Sequence, residues 1–202
     1  MNPMFLPSVE NNPKLEDRWA RIIRAMEQAG AAAPQIYHLF AFKPEATRHL
    51  ERFTHAVMRG PSPLSPGFRE LIAAFTSKRN GSPFWVGCHA AAAASLGDRA
   101  LVRAVLEDFR TAPISEKEKL LFAFLELVTD NASHGGDIAE LRREGWTDEE
   151  IYDAVTVCAL FCFYNRWGDA AGVQELAPAA ARASGKRLAE RGYLITAGEA
   201  GD

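Results

Sequence analysis

Two Ser-Pro dipeptides, Ser65-Pro66 and Ser82-Pro83, each set a capping hydroxyl directly before a proline at a first helical position, and Asn80-Gly81 lies between them as a tight turn. This pattern predicts two consecutive helices joined as a hairpin, the first running to about Arg79 and the second through the alanine block Ala90–Ala94 to Leu96. Gly97 is expected to end the second helix in a left-handed conformation, with Asp98 capping a further helix that reaches about Phe109. Nowhere does the chain alternate apolar and polar residues long enough to suggest a strand.

The remaining chain carries the same kind of punctuation. Leu15 to Ala29 places Trp19, Ile22, Ile23 and Met26 on one stripe before Gly30. Short helices follow over residues 36–42 and 45–58, the second ended by Gly60-Pro61. Capping boxes at Ser115–Glu118 and Thr147–Glu150 open two later helices, with a weaker one over 138–144 between them. The helix from Asp148 is the most apolar, and a last one covers roughly 178–191. Residues 1–13, with Pro3, Pro7 and Pro13, read as an extended arm, and the final ITAGEAGD as a frayed end. The expectation is an all-α bundle with short loops.

Charge and composition narrow the functional classes. A net charge of -3 with scattered basic residues gives no footprint for nucleic acid or an acidic membrane surface. The apolar run from Ala154 to Tyr164 is about half of the roughly 20 residues that a membrane crossing needs. The first residues do not read as a secretory signal, and three cysteines (Cys88, Cys158, Cys162) make no even disulfide framework, so the cytoplasm is the expected location. Five histidines include no His-x-x-x-His pair and no repeated Glu-x-x-His, so no metal site is expected, and nothing asks for a cofactor.

Chemistry concentrates between Glu70 and His89. Ser82, Trp85 and His89 stand at i, i+3 and i+7 on one stripe of the second helix, and the hairpin turn can fold Glu70 towards His89. A carboxylate hydrogen-bonded to an imidazole fixes its tautomer and raises its basicity, which prepares a general base. The same pair can also be structural. Ser82 reads plainly as an N-cap, and Trp85 as a pocket wall or subunit contact whose N–H needs a partner. Cys158 and Cys162 share a helix face as small core residues, since a disulfide at that spacing strains a helix. Cys88 adjoins His89 but points about 100° away from it, as adjacent helical residues do, and reads as packed behind the hairpin.

In register, Glu70, Ser77, Asn80, Gly81 and His89 resemble the signature of the carboxymuconolactone decarboxylase-like family, which includes alkylhydroperoxidase D. Ser82 and Trp85 occupy that signature's two cysteine positions. A later stretch, Phe163-Tyr164-Asn165-Arg166-Trp167-Gly168-Asp169, looks like the family's characteristic second helix. The resemblance spans roughly residues 35–175, leaving 1–34 as an N-terminal arm and helix and 176–202 as a C-terminal helix and tail.

What the resemblance implies is an all-α, AhpD-like helical bundle with an internal helical-hairpin duplication, assembled as a homo-oligomer around a small-molecule substrate. Its peroxidases work through two cysteines that the glutamate and histidine serve as a proton relay. That cycle is not available here, because a serine forms no disulfide and an indole is no nucleophile. Glu70 and His89 remain as candidate catalytic residues for acid–base chemistry of the decarboxylase type on a small carboxylate or lactone, with Arg79 or Arg166 gripping the carboxylate. A peroxidase-related oxidoreductase using Cys88 or an external thiol is the alternative, and a non-catalytic oligomeric small-molecule-binding protein is the third reading.

Overall fold

The protein was studied as a computed structural model that describes residues 2–12 and 18–194. Eleven helices run through the described residues: α1 (Pro7–Glu10), α2 (Arg18–Gln28), α3 (Ile36–Phe42), α4 (Pro44–Arg59), α5 (Pro66–Arg79), α6 (Pro83–Leu96), α7 (Arg99–Asp108), α8 (Glu116–Thr129), α9 (Gly135–Arg143), α10 (Asp148–Ala171) and α11 (Pro178–Arg191). Among them there is no strand, and no helix is long and apolar enough to cross a membrane. The expected start of α2 at Leu15 and the expected frayed end over 195–202 lie outside the described residues.

Local signals account for most helix ends. Ser65 accepts from the Phe68 N–H, Asp98 accepts from Ala100 and Leu101, and both capping boxes form. Two expectations are corrected. Ser82 makes no cap, because its hydroxyl donates instead to Asp169 Oδ1 at 2.7 Å, a charged acceptor supplied by α10. Gly97 is extended (φ -156°, ψ -154°) rather than left-handed, since the chain passes straight from it to the Asp98 cap. The N-terminal arm also differs from a purely extended segment. Pro7 begins one helical turn, Met4 is buried, and the Phe5 N–H donates to the Ala171 carbonyl at 3.0 Å. The arm thereby covers the C-terminal end of α10 within its own chain.

The centre is the α5–α6 hairpin. Gly81 takes φ +69° at its turn, and the start of α5 meets the end of α6, where a Cβ on Gly67 would lie 3.3 Å from Leu96 Cβ. Ile72, Phe122, Leu125, Val157 and Phe161, all fully buried, bring α5, α8 and α10 into one core, and Phe75 packs edge-on against Phe122 with centroids 4.9 Å apart. α10 is bolted to the hairpin turn by Asn165, which accepts from Asn80 Nδ2 at 2.9 Å and donates to Ser77 Oγ at 3.0 Å.

α11 lies against α6 and runs in the same direction, pairing Gly87 with Ala181 and Ala91 with Gly185. The alanine block therefore receives a helix of its own chain. A Cβ on Gly185 would fall 2.5 Å from Ala91 Cβ and 2.7 Å from the Ala92 backbone nitrogen. Gly185→Ala is accordingly expected to destabilise the protein by about 1–3 kcal/mol through overpacking. A urea melt of the variant that coincides with wild type would show that α11 is not seated this closely.

Candidate active site

Glu70 sits in the first turns of α5 and is completely buried. The hairpin lays it against α6, where its Oε2 lies 2.6 Å from His89 Nδ1. Its other oxygen accepts from Arg59 Nη2 at 2.5 Å and from the Tyr193 hydroxyl at 2.8 Å. Arg59, at the end of α4, also donates to the Leu188 and Met58 carbonyls, each at 2.8 Å, and so ties α4, α5 and α11 to the carboxylate. Burial is the largest single influence on Glu70 and pushes its carboxyl up. The charges and hydrogen bonds of His89 and Arg59 together overcome it and hold the carboxyl below its usual range. Tyr193 moves the other way: burial and the adjacent Glu70 charge raise its hydroxyl well above the ordinary tyrosine value, so it remains a neutral donor.

The Nδ1 contact with the Glu70 carboxylate fixes the orientation of the His89 ring and leaves Nε2 as the nitrogen available to exchange a proton. The ring lies nearly parallel to Trp85 (centroids 6.0 Å, 12°) and to Tyr193 (6.3 Å, 9°), and meets the edge of Phe161 at 4.4 Å. These rings border a cavity of about 80 Å³ that Phe40, Phe84 and Tyr164 help to line. The Tyr164 hydroxyl is engaged by Thr54 at 2.6 Å, and burial raises its pKa. Glu51, also on the cavity wall and buried, is held by Arg18 and by the Trp19 indole N–H. A small apolar chamber thus carries a carboxylate–imidazole pair at its side, an arrangement able to take a proton from a bound molecule and return it elsewhere.

The other residues singled out in the sequence are placed as follows. Trp85 lines the cavity, and its Nε1 has no hydrogen-bond partner among the described residues. Gly168 makes room for it, since a Cβ there would lie 3.2 Å from that nitrogen. Ser82 is buried against Asp169 and does not border the cavity. Arg79 and Arg166 do not reach it either. Arg79 leaves the end of α5 for the surface and pairs with Asp130 and Glu126, while the exposed Arg166 donates back to the Cys162 carbonyl of its own helix. Cys88 touches the cavity but faces α11, and burial, only partly offset by a hydrogen bond with Ser184, raises its thiol to about 11. A thiol there is protonated at neutral pH.

Cys158 is fully buried beside Thr129 Oγ1 at 3.3 Å, and its hydrogen bond to Cys162, followed by burial, raises its thiol. Cys162 is half-buried and differs from a plain core residue. The hydrogen bond from Cys158, then those of Asn80 and Arg166, hold its thiol low.

Arg59 and Tyr193 are the site residues that sequence spacing missed. Arg59 falls before the hairpin and Tyr193 far beyond it, just after Gly192 (φ +71°) closes α11. The one local sign was an aromatic set directly after a helix-ending glycine.

No protein-family model matches the chain, and no curated protein does. The solved structures similar to it include two uncharacterized proteins. One is an uncharacterized peroxidase-related protein from Silicibacter sp. TM1040, with a TM-score of 0.68 and 25% identity over 81% of this chain and 87% of that one. The other, an alkylhydroperoxidase AhpD core and uncharacterized peroxidase-related protein from Ralstonia eutropha JMP134, has a TM-score of 0.69 and 24% identity over 85% of this chain and 90% of that one. The all-α fold is thus AhpD-like.

Two measurements test this geometry. Glu70→Gln keeps the shape but leaves the Arg59 guanidinium buried without its carboxylate, and should cost about 3–5 kcal/mol at neutral pH. Because the native carboxyl is depressed, the stability due to its ionisation is complete above the unfolded value of roughly 4.3 and is lost as pH falls through the lower native value. The gap between wild type and variant in denaturant melts should therefore close only in that acid range; a constant gap would contradict the pairing. For the thiols, iodoacetamide at neutral pH should label Cys162 well before Cys88, read by peptide mass spectrometry. Equal rates would overturn the assignment.

Proposed function

We propose that this protein is a proton-transfer enzyme in which His89, oriented by Glu70, acts on a small organic molecule held in the aromatic cavity. The supporting observation is the 2.6 Å contact between a fully buried carboxylate and an imidazole on the cavity wall, with Ser82 and Trp85 in the place of a cysteine pair. His89 Nε2 takes the proton, Glu70 stabilises the imidazolium that forms, and the imidazolium gives the proton to a second atom of the substrate. Decarboxylase-type chemistry on a small carboxylate or lactone acid whose carboxyl-bearing carbon is conjugated to a carbonyl uses this last step: CO2 leaves, its bonding electrons pass into that carbonyl to give an enolate, and the imidazolium protonates the carbon. The resemblance to carboxymuconolactone decarboxylase motivates that substrate class, and Tyr193 is a neutral donor within reach of the dyad, 3.4 Å from His89 Nδ1.

Peroxide reduction is the second reading, favoured by the peroxidase-related names of the two similar structures. It requires a thiolate at the cavity, and Cys88, with its thiol raised to about 11, is the cysteine that borders it. The two readings separate in one set of assays on wild type, Cys88→Ala, His89→Ala and Glu70→Gln. Wild type should not consume organic hydroperoxide with a dithiol reductant. Small carboxylic acids and lactones in deuterated buffer should yield CO2 or a product deuterated at carbon, at rates reduced about 100-fold or more in His89→Ala and Glu70→Gln but little in Cys88→Ala. Hydroperoxide turnover that disappears in both Cys88→Ala and His89→Ala would replace this reading with a single-cysteine peroxidase.

A further inference from the structure

The cavity's charged groups are unevenly partnered. Glu70 has Arg59, and Glu51 has Arg18. Arg187, on α11, also borders the cavity, yet its Nε and Nη1 are buried and make no hydrogen bond among the described residues, and no carboxylate pairs with it there. Two guanidinium nitrogens withdrawn from water without a partner, on a half-buried side chain, are costly and leave a place for an acceptor.

Its position gives the arginine a use. A larger groove of about 340 Å³ lies beside the cavity, and Pro34, Tyr37, Ser184 and Arg187 border both spaces. Arg187 therefore stands at the junction between an outer groove and the aromatic chamber that holds His89. Planar guanidinium matches carboxylate geometry, whereas the chamber walls beyond it are rings.

We infer that Arg187 is the anion-binding element of this site, and that the ligand is an amphiphilic monocarboxylate whose carboxylate stops at the groove while its apolar body enters the chamber beside His89. The inference rests on the proton-transfer reading only in taking the chamber as the substrate's place, and it transfers to α11 the grip that Arg79 and Arg166 are too far out to supply. It also orients the substrate, with the acid group fixed at the mouth and the body beside His89.

The test reads binding rather than turnover, so it fails separately from the catalytic proposal. Thermal shift and calorimetry on the full chain would use hexanoate and benzoate, their neutral amides hexanamide and benzamide, and inorganic phosphate, with wild type, Arg187→Met and His89→Gln. The carboxylates should bind wild type at least about tenfold more tightly than the amides or phosphate, and Arg187→Met should lose that preference while His89→Gln keeps it. Since Nε and Nη1 have no partner among the described residues, the apolar Met variant should melt at the same temperature as wild type or higher. Amides or phosphate binding as well as the carboxylates, a preference surviving in Arg187→Met, or no carboxylate binding at all would overturn the proposal. So would a melting temperature lowered by about 4 °C or more in Arg187→Met, which would mark the guanidinium as a structural group.

Discussion

A carboxylate with no solvent contact stands at the meeting point of four parts of this chain, and its need for partners organises what surrounds it. An uncompensated ion at Glu70 would cost several kcal/mol. The structure answers with a guanidinium from the end of α4, an imidazole from α6 and a phenol from just beyond the Gly192 cap of α11, so distant segments must converge on one point of α5. Arg59 shows how strict this is, because the same guanidinium nitrogen that reaches Glu70 also holds the Leu188 carbonyl of α11. Chemistry and assembly share one set of bonds, and a change at Glu70 is felt as both.

Close packing supplies the other half of that convergence. Tyr193 reaches Glu70 only if α11 sits low on α6, which Gly185 against Ala91 and Ala92 permits. Trp85 lies along His89 only if α10 comes near, which Gly168 permits by omitting a side chain beside the indole nitrogen. Two glycines with ordinary helical backbones thus act through the atoms they lack. In the sequence they carry no sign of this, because the contact depends on which helix arrives.

That distinction separates what could be read from what could not. Helix ends were legible where the deciding atoms lie within a few residues, as at Ser65, Asp98, Ser115 and Thr147, and the starts of α5, α7, α8 and α10 follow from them. Ser82 carries the same local signal as Ser65 but is captured by Asp169, a competitor 87 positions away. The Glu70–His89 pair was legible because a short hairpin turn converts sequence spacing into a spatial one. Arg59, Tyr193 and Arg187 were not, since nothing near them encodes the approach of α4 or α11. Arg79 and Arg166 show the reverse error: each is close in sequence to the site, yet their side chains leave on the outer surface to meet Asp130, Glu126 or their own helix.

The tryptophan at position 85 has a physical consequence for the chamber. An indole is far larger than a thiol, and here it forms a wall of the chamber in contact range of His89, Phe84, Phe161 and Tyr164. It covers one face of the imidazole with a nearly parallel ring. A low-dielectric wall strengthens the coupling between His89 and Glu70, because their attraction is less screened. It also makes any charge brought into the chamber expensive unless that charge finds a partner at the entrance. A neutral or apolar group is therefore the portion of a ligand suited to the space beside His89, and an acid group is suited to the boundary where Arg187 stands.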